Sequence, residues 1–370
     1  MTSFPTGTDG GGAESSPAAA PHIVLGGRTI GAGQPPYLIA EMSANHGQDL
    51  DQAVRLVRAM KIAGADAVKV QTYTADTLTI DCDNPHFRVG EGSLWEGRTL
   101  YDLYREAHTP WEWQARLRDV AHGEGLDFFS TPFDPTSVDF LESLDVPAYK
   151  IASFEIVDLG LIRYVAQTGK PLIISTGMAT LEEVGEAVEA ARDSGATQIV
   201  LLKCTSAYPA PPEEMNLQAI PQLARAFGTP VGLSDHTLAL AVPVAAVALG
   251  ASVIEKHFTL SRAQPGPDSA FSLEPEEFRA MADAARTAAA ALGTASFGVG
   301  AEEEKSRVFR RSLFVVRDIA AGETFTAENV RSIRPGFGLA PKHLASVLGR
   351  RCSRDVGRGT PLDWSLVADS

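Results

Sequence analysis

The 370-residue chain is poor in cysteine and in positive charge. Cys82, Cys204 and Cys352 are far apart, odd in number and in no Cys-x-x-Cys spacing, which argues against a disulfide framework and a cysteine metal cluster. Lys and Arg number 32 against 46 Asp and Glu, and the net charge of −14 repels nucleic-acid backbones and anionic lipid. The composition therefore predicts a cytoplasmic protein without nucleic-acid or membrane partners, in which a few placed basic groups hold any anionic ligand.

Long apolar runs and targeting signals are also missing. No stretch approaches 18 uninterrupted apolar residues, so no membrane-spanning helix is predicted. Residues 1–20 contain no Lys or Arg and no apolar core of a signal peptide, and we predict a disordered tail there. No Gly-x-Gly-x-x-Gly motif follows the first predicted strand, which disfavours a dinucleotide-binding fold.

Eight short β-rich segments alternate with helical patterns from Pro36 to Leu292. The predicted strands cover residues 37–42, 66–72, 127–133, 148–153, 171–177, 199–205, 230–236 and 253–259. Predicted helices include residues 49–64, 135–143, 181–194, 238–249 and 275–292. Eight such units in about 255 residues match the size of a TIM barrel. An open doubly wound sheet is the alternative, because periodicity does not show closure.

The domain organisation follows from this pattern. We predict an α/β fold with a TIM (β/α)8 barrel in residues 21–292, a Gly- and Glu-rich linker in 293–311 and a small, mainly β domain in 312–370. The connection 73–108, rich in Asp, Asn, Gly, Trp and Tyr, is too long for a turn and is predicted to be a lid or substrate loop.

Nearly every predicted strand ends in polar or ionisable residues. These are Glu41, Lys69, Gln71, Ser130, Thr131, Lys150, Ser153, Ser175, Thr205, His236 and His257. In a barrel the carboxyl ends of the strands meet on one face, which is where active sites of this fold lie. We therefore expect one polar site there. Cys204, inside an apolar strand, is expected to be inert core.

His236 and His257 end the seventh and eighth strands, which are neighbours in a closed barrel. Two imidazoles can bind one divalent ion, such as Mn²⁺, Fe²⁺, Co²⁺ or Zn²⁺, and leave open positions for catalysis. The alternative is a pair of hydrogen-bonded histidines at the barrel mouth.

Lys69 and Lys150 lie within otherwise apolar strands, where an unpaired ammonium group is costly to bury. They predict a phosphate or carboxylate ligand, which nearby hydroxyl groups would also hold. The hydroxyl groups are those of Thr131, Ser153, Ser175 and Ser234. One alternative is a structural ion network with Glu41, Glu155 or Asp235, and another is a Schiff-base lysine.

Three carboxylates are candidates for proton transfer. Glu41 ends the first strand, Glu155 follows the fourth, and Asp268 lies in the loop after the eighth. A carboxylate near a metal and a lysine can activate water or move a proton. Each of them, taken singly, is more commonly a salt-bridge partner or a loop cap.

Ten motifs in order make the chain similar to the sialic acid synthase family. They are IAEMSANHGQ (39–48), VKVQTY (68–73), STPF (130–133), YKIAS (149–153), ISTGM (174–178), LLKCTSAYP (201–209), GLSDHT (232–237), EKHFT (255–259), GPDSAFS (266–272) and IRPGFG (333–338). The resemblance covers residues 22–367. It implies a TIM barrel followed by an antifreeze-protein-like (SAF) domain, in a domain-swapped homodimer where that domain of one subunit covers the other's barrel mouth.

The resemblance also implies an activity and its residues. The family condenses phosphoenolpyruvate with an N-acetylated amino sugar and releases phosphate by C–O cleavage. By this resemblance His236 and His257 hold a divalent metal ion, with Mn²⁺ expected and Mg²⁺ or Co²⁺ as alternatives. Glu41 and Glu155 are the candidates for activating water. Phosphoenolpyruvate would be bound by Lys69, Thr131, Lys150, Ser153, Ser175 and Ser234. The sugar would be bound by Gln71, Tyr208, Asp268 and, from the second subunit, Arg334.

The acceptor sugar is the finer question. Segments 93–113 and 255–277 are most similar to the family branch whose acceptor is 2,4-diacetamido-2,4,6-trideoxy-altrose. Ser206 stands where the neuraminate branch has Asn, which weakens that branch. The alternatives within the enzyme class are N-acetylneuraminate and legionaminate synthesis. The alternative outside it is a non-catalytic carbohydrate-binding protein.

Overall fold

The computed structural model describes residues 20–90, 92, 94–264, 266–294 and 297–368. The predicted disordered tail, apart from Ala20, lies outside the described residues. The described chain forms two compact units that divide between Gly293 and Thr294. Among the described helices, none is long and apolar enough to cross a membrane.

A β-hairpin that the sequence pattern did not predict precedes the barrel. It consists of β1 (His22–Leu25) and β2 (Arg28–Gly31), paired antiparallel. Ile23, Leu25 and Ile30 are buried in the barrel's hydrophobic core. The backbone N–H of Val24 donates to Gln198 Oε1 at 2.6 Å, just ahead of a barrel strand. The hairpin therefore packs on the amino-terminal end of the strands, away from the predicted site.

Eight parallel strands close into a barrel, each bonded to the next and the last bonded to the first. They are β3 (Tyr37–Glu41), β4 (Ala67–Thr72), β5 (Asp127–Pro132), β6 (Tyr149–Ile151), β7 (Leu172–Ser175), β8 (Ile199–Cys204), β9 (Val231–Asp235) and β10 (Val253–His257). All eight predicted strands are confirmed within a few residues. The TIM barrel is confirmed as well, and the open doubly wound sheet is wrong.

Helices cover the barrel and carry apolar residues on the face toward it. They are α1 (Leu50–Ile62), α2 (Ala75–Leu78), α3 (Leu100–Ala107), α4 (Trp111–Gly123), α5 (Pro135–Ser143), α6 (Leu159–Ala166), α7 (Leu181–Asp193), α8 (Ala219–Phe227), α9 (Ala241–Ala248) and α10 (Pro275–Leu292). The five predicted helices are confirmed. Thr180 starts α7 by accepting a hydrogen bond from the backbone N–H of Glu183, whose carboxylate accepts from Thr180 N–H in return.

The long connection 73–108 contains α2, a 3-10 turn over Pro85–Phe87 and α3. Glu91 and Ser93 of this segment are outside the described residues. The Trp95 indole N–H donates to the Pro267 carbonyl oxygen at 2.8 Å, and its ring lies 5.8 Å from that of Tyr208. The connection thus packs on the loops at the carboxyl ends of the strands. Its predicted role as a lid stays a prediction.

The carboxyl-terminal unit contains α11 (Ala301–Ser306), β11 (Ser312–Val315), β12 (Val330–Ile333) and α12 (Leu344–Val347). α11 falls inside the segment predicted to be a linker. The two strands pair antiparallel, and the unit has its own apolar core, which includes Leu313, Phe325 and Leu362. A small unit with an antiparallel sheet therefore follows the barrel.

Candidate active site

Polar side chains from the carboxyl ends of the strands gather inside the barrel. Nine of these side chains were predicted to bind metal or phosphate or to transfer a proton, and each is at most 8 % exposed. They are Glu41, Lys69, Thr131, Lys150, Ser153, Ser175, Ser234, His236 and His257. Buried polar groups of this density need partners, and their partners define the site.

Lys69 is paired with carboxylates. Its ammonium group contacts Glu41 Oε2, lies 3.6 Å from Glu255 Oε1 and donates to Thr131 Oγ1 at 3.1 Å. Lys150 donates to Ser175 Oγ at 2.7 Å and lies 3.7 Å from Glu255 Oε1. The structural ion network, which was the alternative to an anion-binding site, is therefore present, and Glu41 belongs to it. The described ion pairs of the two lysines are with Glu41 and Glu255 and do not include Glu155 or Asp235.

Glu255 is the central residue that the sequence reasoning missed. Besides both lysines, its Oε1 accepts from Ser234 Oγ at 3.5 Å. Burial opposes its charge, but Lys150 and Lys69 hold the pKa of Glu255 below its usual range. The sequence did contain a signal, because Glu255 is two residues before His257 in an apolar strand and so shares its inward face.

Glu41 differs from Glu255 in its environment. Burial raises the pKa of Glu41, Lys69 opposes this effect, and the nearby Glu255 carboxylate raises it further. Glu41 Oε1 also accepts the backbone N–H of Ser43 at 2.9 Å. Both oxygens of the Glu41 carboxylate are therefore bound, Oε2 by Lys69 and Oε1 by the backbone N–H of Ser43.

The two histidine rings lie side by side, with centroids 5.3 Å apart. His236 Nδ1 lies 2.9 Å from the carbonyl oxygen of Thr205, which can only accept, so Nδ1 carries a proton and Nε2 is the ring nitrogen that could bind a metal. His257 Nδ1 is buried with no hydrogen-bond partner. Burial, then His236 and Lys69, hold the pKa of His257 well below its usual range, so its imidazole is neutral.

This donor set fits a divalent ion held by two imidazoles. Imidazole binds metal in its neutral form. A metal ion would also give the buried Nδ1 of His257 the partner that it lacks. Among the residues that the structure describes, no group of three or more His, Cys, Asp or Glu is arranged as a metal site. Further ligands would therefore have to come from substrate or water, and metal binding stays a prediction.

Cys204 is buried, as its strand predicts, but its thiol has polar groups around it. Burial raises the pKa of the Cys204 thiol, but His236, Ser153 and Lys150 lower it to about 7. The thiol therefore belongs to the polar cluster. The sequence pattern hid this, because Val200 and Leu202, which share the face of Cys204 on β8, are apolar.

Glu155 lies on a 3-10 turn, Ser153–Glu155, directly after β6. Its Oε2 is buried without a hydrogen-bond partner. Burial raises the pKa of Glu155 to about 7, and Lys150 opposes the shift. Glu155 therefore combines a pKa near neutral pH with a carboxylate oxygen that has no hydrogen-bond partner.

Gln71 and Asp268, two of the residues predicted to bind sugar, are brought together through Ser43. The hydroxyl of Ser43 donates to Asp268 Oδ2, and Gln71 Nε2 donates to Ser43 Oγ at 3.2 Å. The Ala44 N–H also points to Asp268 Oδ2, at 3.4 Å. Burial raises the pKa of Asp268, while Ser43 and Ala44 oppose the shift.

Tyr208 forms an aromatic wall next to the histidines. Its ring centroid lies 4.5 Å from that of His236 and 5.0 Å from that of Phe271. Arg334, the fourth residue predicted to bind sugar, belongs to the carboxyl-terminal unit, directly after β12. The barrel thus contributes Gln71, Tyr208 and Asp268.

Comparisons with known proteins cover both units. Residues 56–297 match the model of the NeuB family and residues 310–368 that of the SAF domain. The pseudaminic acid synthase of Campylobacter jejuni strain 81-176 is 47% identical, over 89% of this chain and 96% of that protein. That of Helicobacter pylori is 45% identical, over 89% and 97%. The crystal structure of spore coat polysaccharide biosynthesis protein spsE from Bacillus subtilis superposes with a TM-score of 0.64 at 35% identity, over 94% of this chain and 99% of that one.

Proposed function

The chain belongs to the NeuB family, and we propose that it acts as a pseudaminic acid synthase, joining phosphoenolpyruvate to 2,4-diacetamido-2,4,6-trideoxy-altrose with release of phosphate. The observation that carries the choice of sugar is the 45% to 47% identity to two proteins of that name, over almost their whole length. The buried lysines, hydroxyl groups and histidines at the barrel mouth support the chemistry, because they supply a site for an anion beside a site for a metal.

Lys69, Thr131, Lys150, Ser153, Ser175 and Ser234 are proposed to bind phosphoenolpyruvate. Lys150 is the better candidate for direct contact with an anionic oxygen, since its nearest carboxylate is 3.7 Å away and Ser175 orients it. Lys69 is more closely neutralised by Glu41. We propose that Lys69 fixes the ligand's orientation and that Lys150 supplies most of the attraction.

His236 and His257 are proposed to hold a divalent ion, with Mn²⁺ as the first choice. When bound, such an ion polarises the sugar's aldehyde group and stabilises negative charge on its oxygen. The chain's own contribution is to keep His257 neutral by burial and to orient His236 through the Thr205 carbonyl. Tyr208, next to His236, would position the sugar.

The proposed reaction forms a C–C bond, adds water and then releases phosphate. C3 of phosphoenolpyruvate attacks the aldehyde carbon of the open-chain sugar, and the cation left at C2 adds water. We propose that Glu155 accepts the proton from that water. The aldehyde oxygen, left as an alkoxide by C–C bond formation, takes up that proton. The tetrahedral intermediate then breaks its C2–O bond to phosphate, and the proton of the C2 hydroxyl leaves with the phosphate. Glu41 is the weaker candidate because Lys69 and the Ser43 N–H already hold its oxygens.

Substituting Glu155→Gln should lower kcat by about 10²- to 10⁴-fold, the usual contribution of a general base. A base must be deprotonated, so the wild-type rate should rise with pH through about 7, the pKa to which burial raises Glu155. The variant should lose that rise and still bind phosphoenolpyruvate. The check is a pH–rate profile, with Glu41→Gln as the matched comparison. Loss of the rise in Glu41→Gln alone would assign the role to Glu41.

A homodimer with exchanged carboxyl-terminal units is proposed from the SAF domain that follows the barrel. Arg334 of that unit would reach an acetamido group of the sugar bound in the other subunit. A guanidinium group suits this task, since its planar donors bind amide and carboxylate oxygens.

The proposed function is tested by a product assay. Phosphoenolpyruvate and Mn²⁺ are supplied with the altrose sugar, the legionaminate precursor or N-acetylmannosamine, and products are identified by mass spectrometry. Phosphate release with a new nonulosonic acid from the altrose sugar alone is the expected result. Turnover of another sugar instead would move the activity to that branch. No product from any of them would favour a carbohydrate-binding protein.

A further inference from the structure

A fully buried ion pair lies behind the two histidines, on the other side of the strands that carry them. Lys256 Nζ lies 2.6 Å from Asp235 Oδ2, and both side chains are 0% exposed. Asp235 and Lys256 are paired neighbours across β9 and β10. Because side chains alternate along a strand, Lys256 faces away from the interior to which Glu255 and His257 point.

The pair also binds the backbone next to His236. Lys256 Nζ donates to the carbonyl oxygen of Thr237. Asp235 Oδ1 accepts the N–H of Thr237 at 2.9 Å, and Oδ2 accepts its hydroxyl at 3.2 Å. His236 thus lies between Asp235, a member of the pair, and Thr237, which the pair binds. Lys256 immediately precedes His257.

We propose that Asp235 and Lys256 are positioning residues for the metal, which set the spacing and orientation of the two imidazoles. The inference rests on the proposed metal-dependent activity. A buried ion pair adds little net stability compared with apolar side chains of similar size, so its contribution here is geometric. Groups that orient metal ligands in this way typically alter metal affinity by about 10- to 100-fold.

The test is Mn²⁺ affinity, measured from the electron paramagnetic resonance signal of free Mn²⁺ during titration of the full chain. Lys256→Met alone would leave the Asp235 carboxylate unpaired and risks misfolding. The main variant is therefore Asp235→Leu with Lys256→Met, which removes both charges. Its Kd for Mn²⁺ should rise about 10- to 100-fold, with an unchanged circular dichroism spectrum. Its melting temperature should fall, because the buried backbone groups of Thr237 lose their partners. Phosphoenolpyruvate binding in metal-free buffer should stay within about twofold of wild type, the scatter expected when a site is untouched.

Tyr37→Phe is the matched control. It removes a buried hydrogen bond, from the Tyr37 hydroxyl to Asp127 Oδ2, at the other end of the strand that pairs with β10. Its Kd for Mn²⁺ should equal that of wild type. Thr237→Val removes the hydroxyl contacts with Asp235 and with the Ala239 backbone but keeps the backbone contacts of Thr237 with the ion pair, and an intermediate rise is expected.

Any of three results would overturn the inference. A folded double variant with the wild-type Kd for Mn²⁺ would remove the positioning role and leave the proposed function intact. Wild-type protein that binds no Mn²⁺, Mg²⁺ or Co²⁺ would remove both. If the double variant does not fold, a wild-type Kd in Thr237→Val would overturn the role.

Discussion

Replacing His257 by alanine should lower turnover by about 10³-fold or more, since a bound metal contributes several kcal/mol of charge stabilisation in reactions of this kind. The barrel should remain folded. His257 Nδ1 has no hydrogen-bond partner to lose, and its imidazole is kept neutral by burial. The measurement is the rate with increasing Mn²⁺, together with the thermal unfolding midpoint.

A histidine elsewhere on the barrel provides the control. His122 lies exposed in the last turn of α4, and His122→Ala should leave the rate and its metal dependence unchanged. If the wild-type enzyme works at full rate after chelation of all divalent ions, the metal role of His236 and His257 is refuted.

Substituting Lys150→Met should raise the KM for phosphoenolpyruvate by about 100-fold, the effect of losing a buried charge-assisted contact of about 3 kcal/mol. The reason is that Lys150 is buried, is oriented by Ser175 and has its nearest carboxylate 3.7 Å away, so its charge is the more available of the two. The KM for the sugar should change little. Steady-state kinetics in both substrates, with calorimetric titration of phosphoenolpyruvate, separate the two effects.

Lys170→Met is the matched lysine substitution. Lys170 precedes β7 at the other end of the barrel and pairs with Glu142 and Asp145. It should leave both KM values unchanged. A Lys150→Met enzyme with wild-type KM and kcat would show that Lys150 does not bind phosphoenolpyruvate.

The sequence predicted the barrel because each strand is short, apolar and followed by a helical pattern, and these are local signals. It predicted that His236 and His257 lie close together because they stand at the ends of two consecutive strands, which pair directly in the barrel. It did not predict Glu255 between Lys69 and Lys150, because β10 is two strands away from β4 and contacts across the barrel interior depend on closure and register.

The structure differs from the sequence predictions at two further places, and the physical origin is the same. The hairpin at 22–31 has few residues and gains its stability from packing Ile23 and Ile30 on the barrel, which no local pattern reveals. Cys204 was expected to be inert from its apolar strand, yet alternation points it toward His236 and Ser153. Local patterns therefore indicate which residues share a face, and the closed barrel decides which faces meet.

Closure of the barrel by β10 against β3 also has a consequence for synthesis on the ribosome. The first barrel strand emerges long before its partner, so one edge of the growing sheet stays unpaired until the last βα unit has been made. Unpaired edges are sites of aggregation, and any chain that ends before β10 keeps one. Glu41 and Lys69 can pair early, whereas Glu255 and His257 arrive last. The nascent chain therefore brings Glu255 and His257 to Glu41 and Lys69 and loses its exposed edge in the same step.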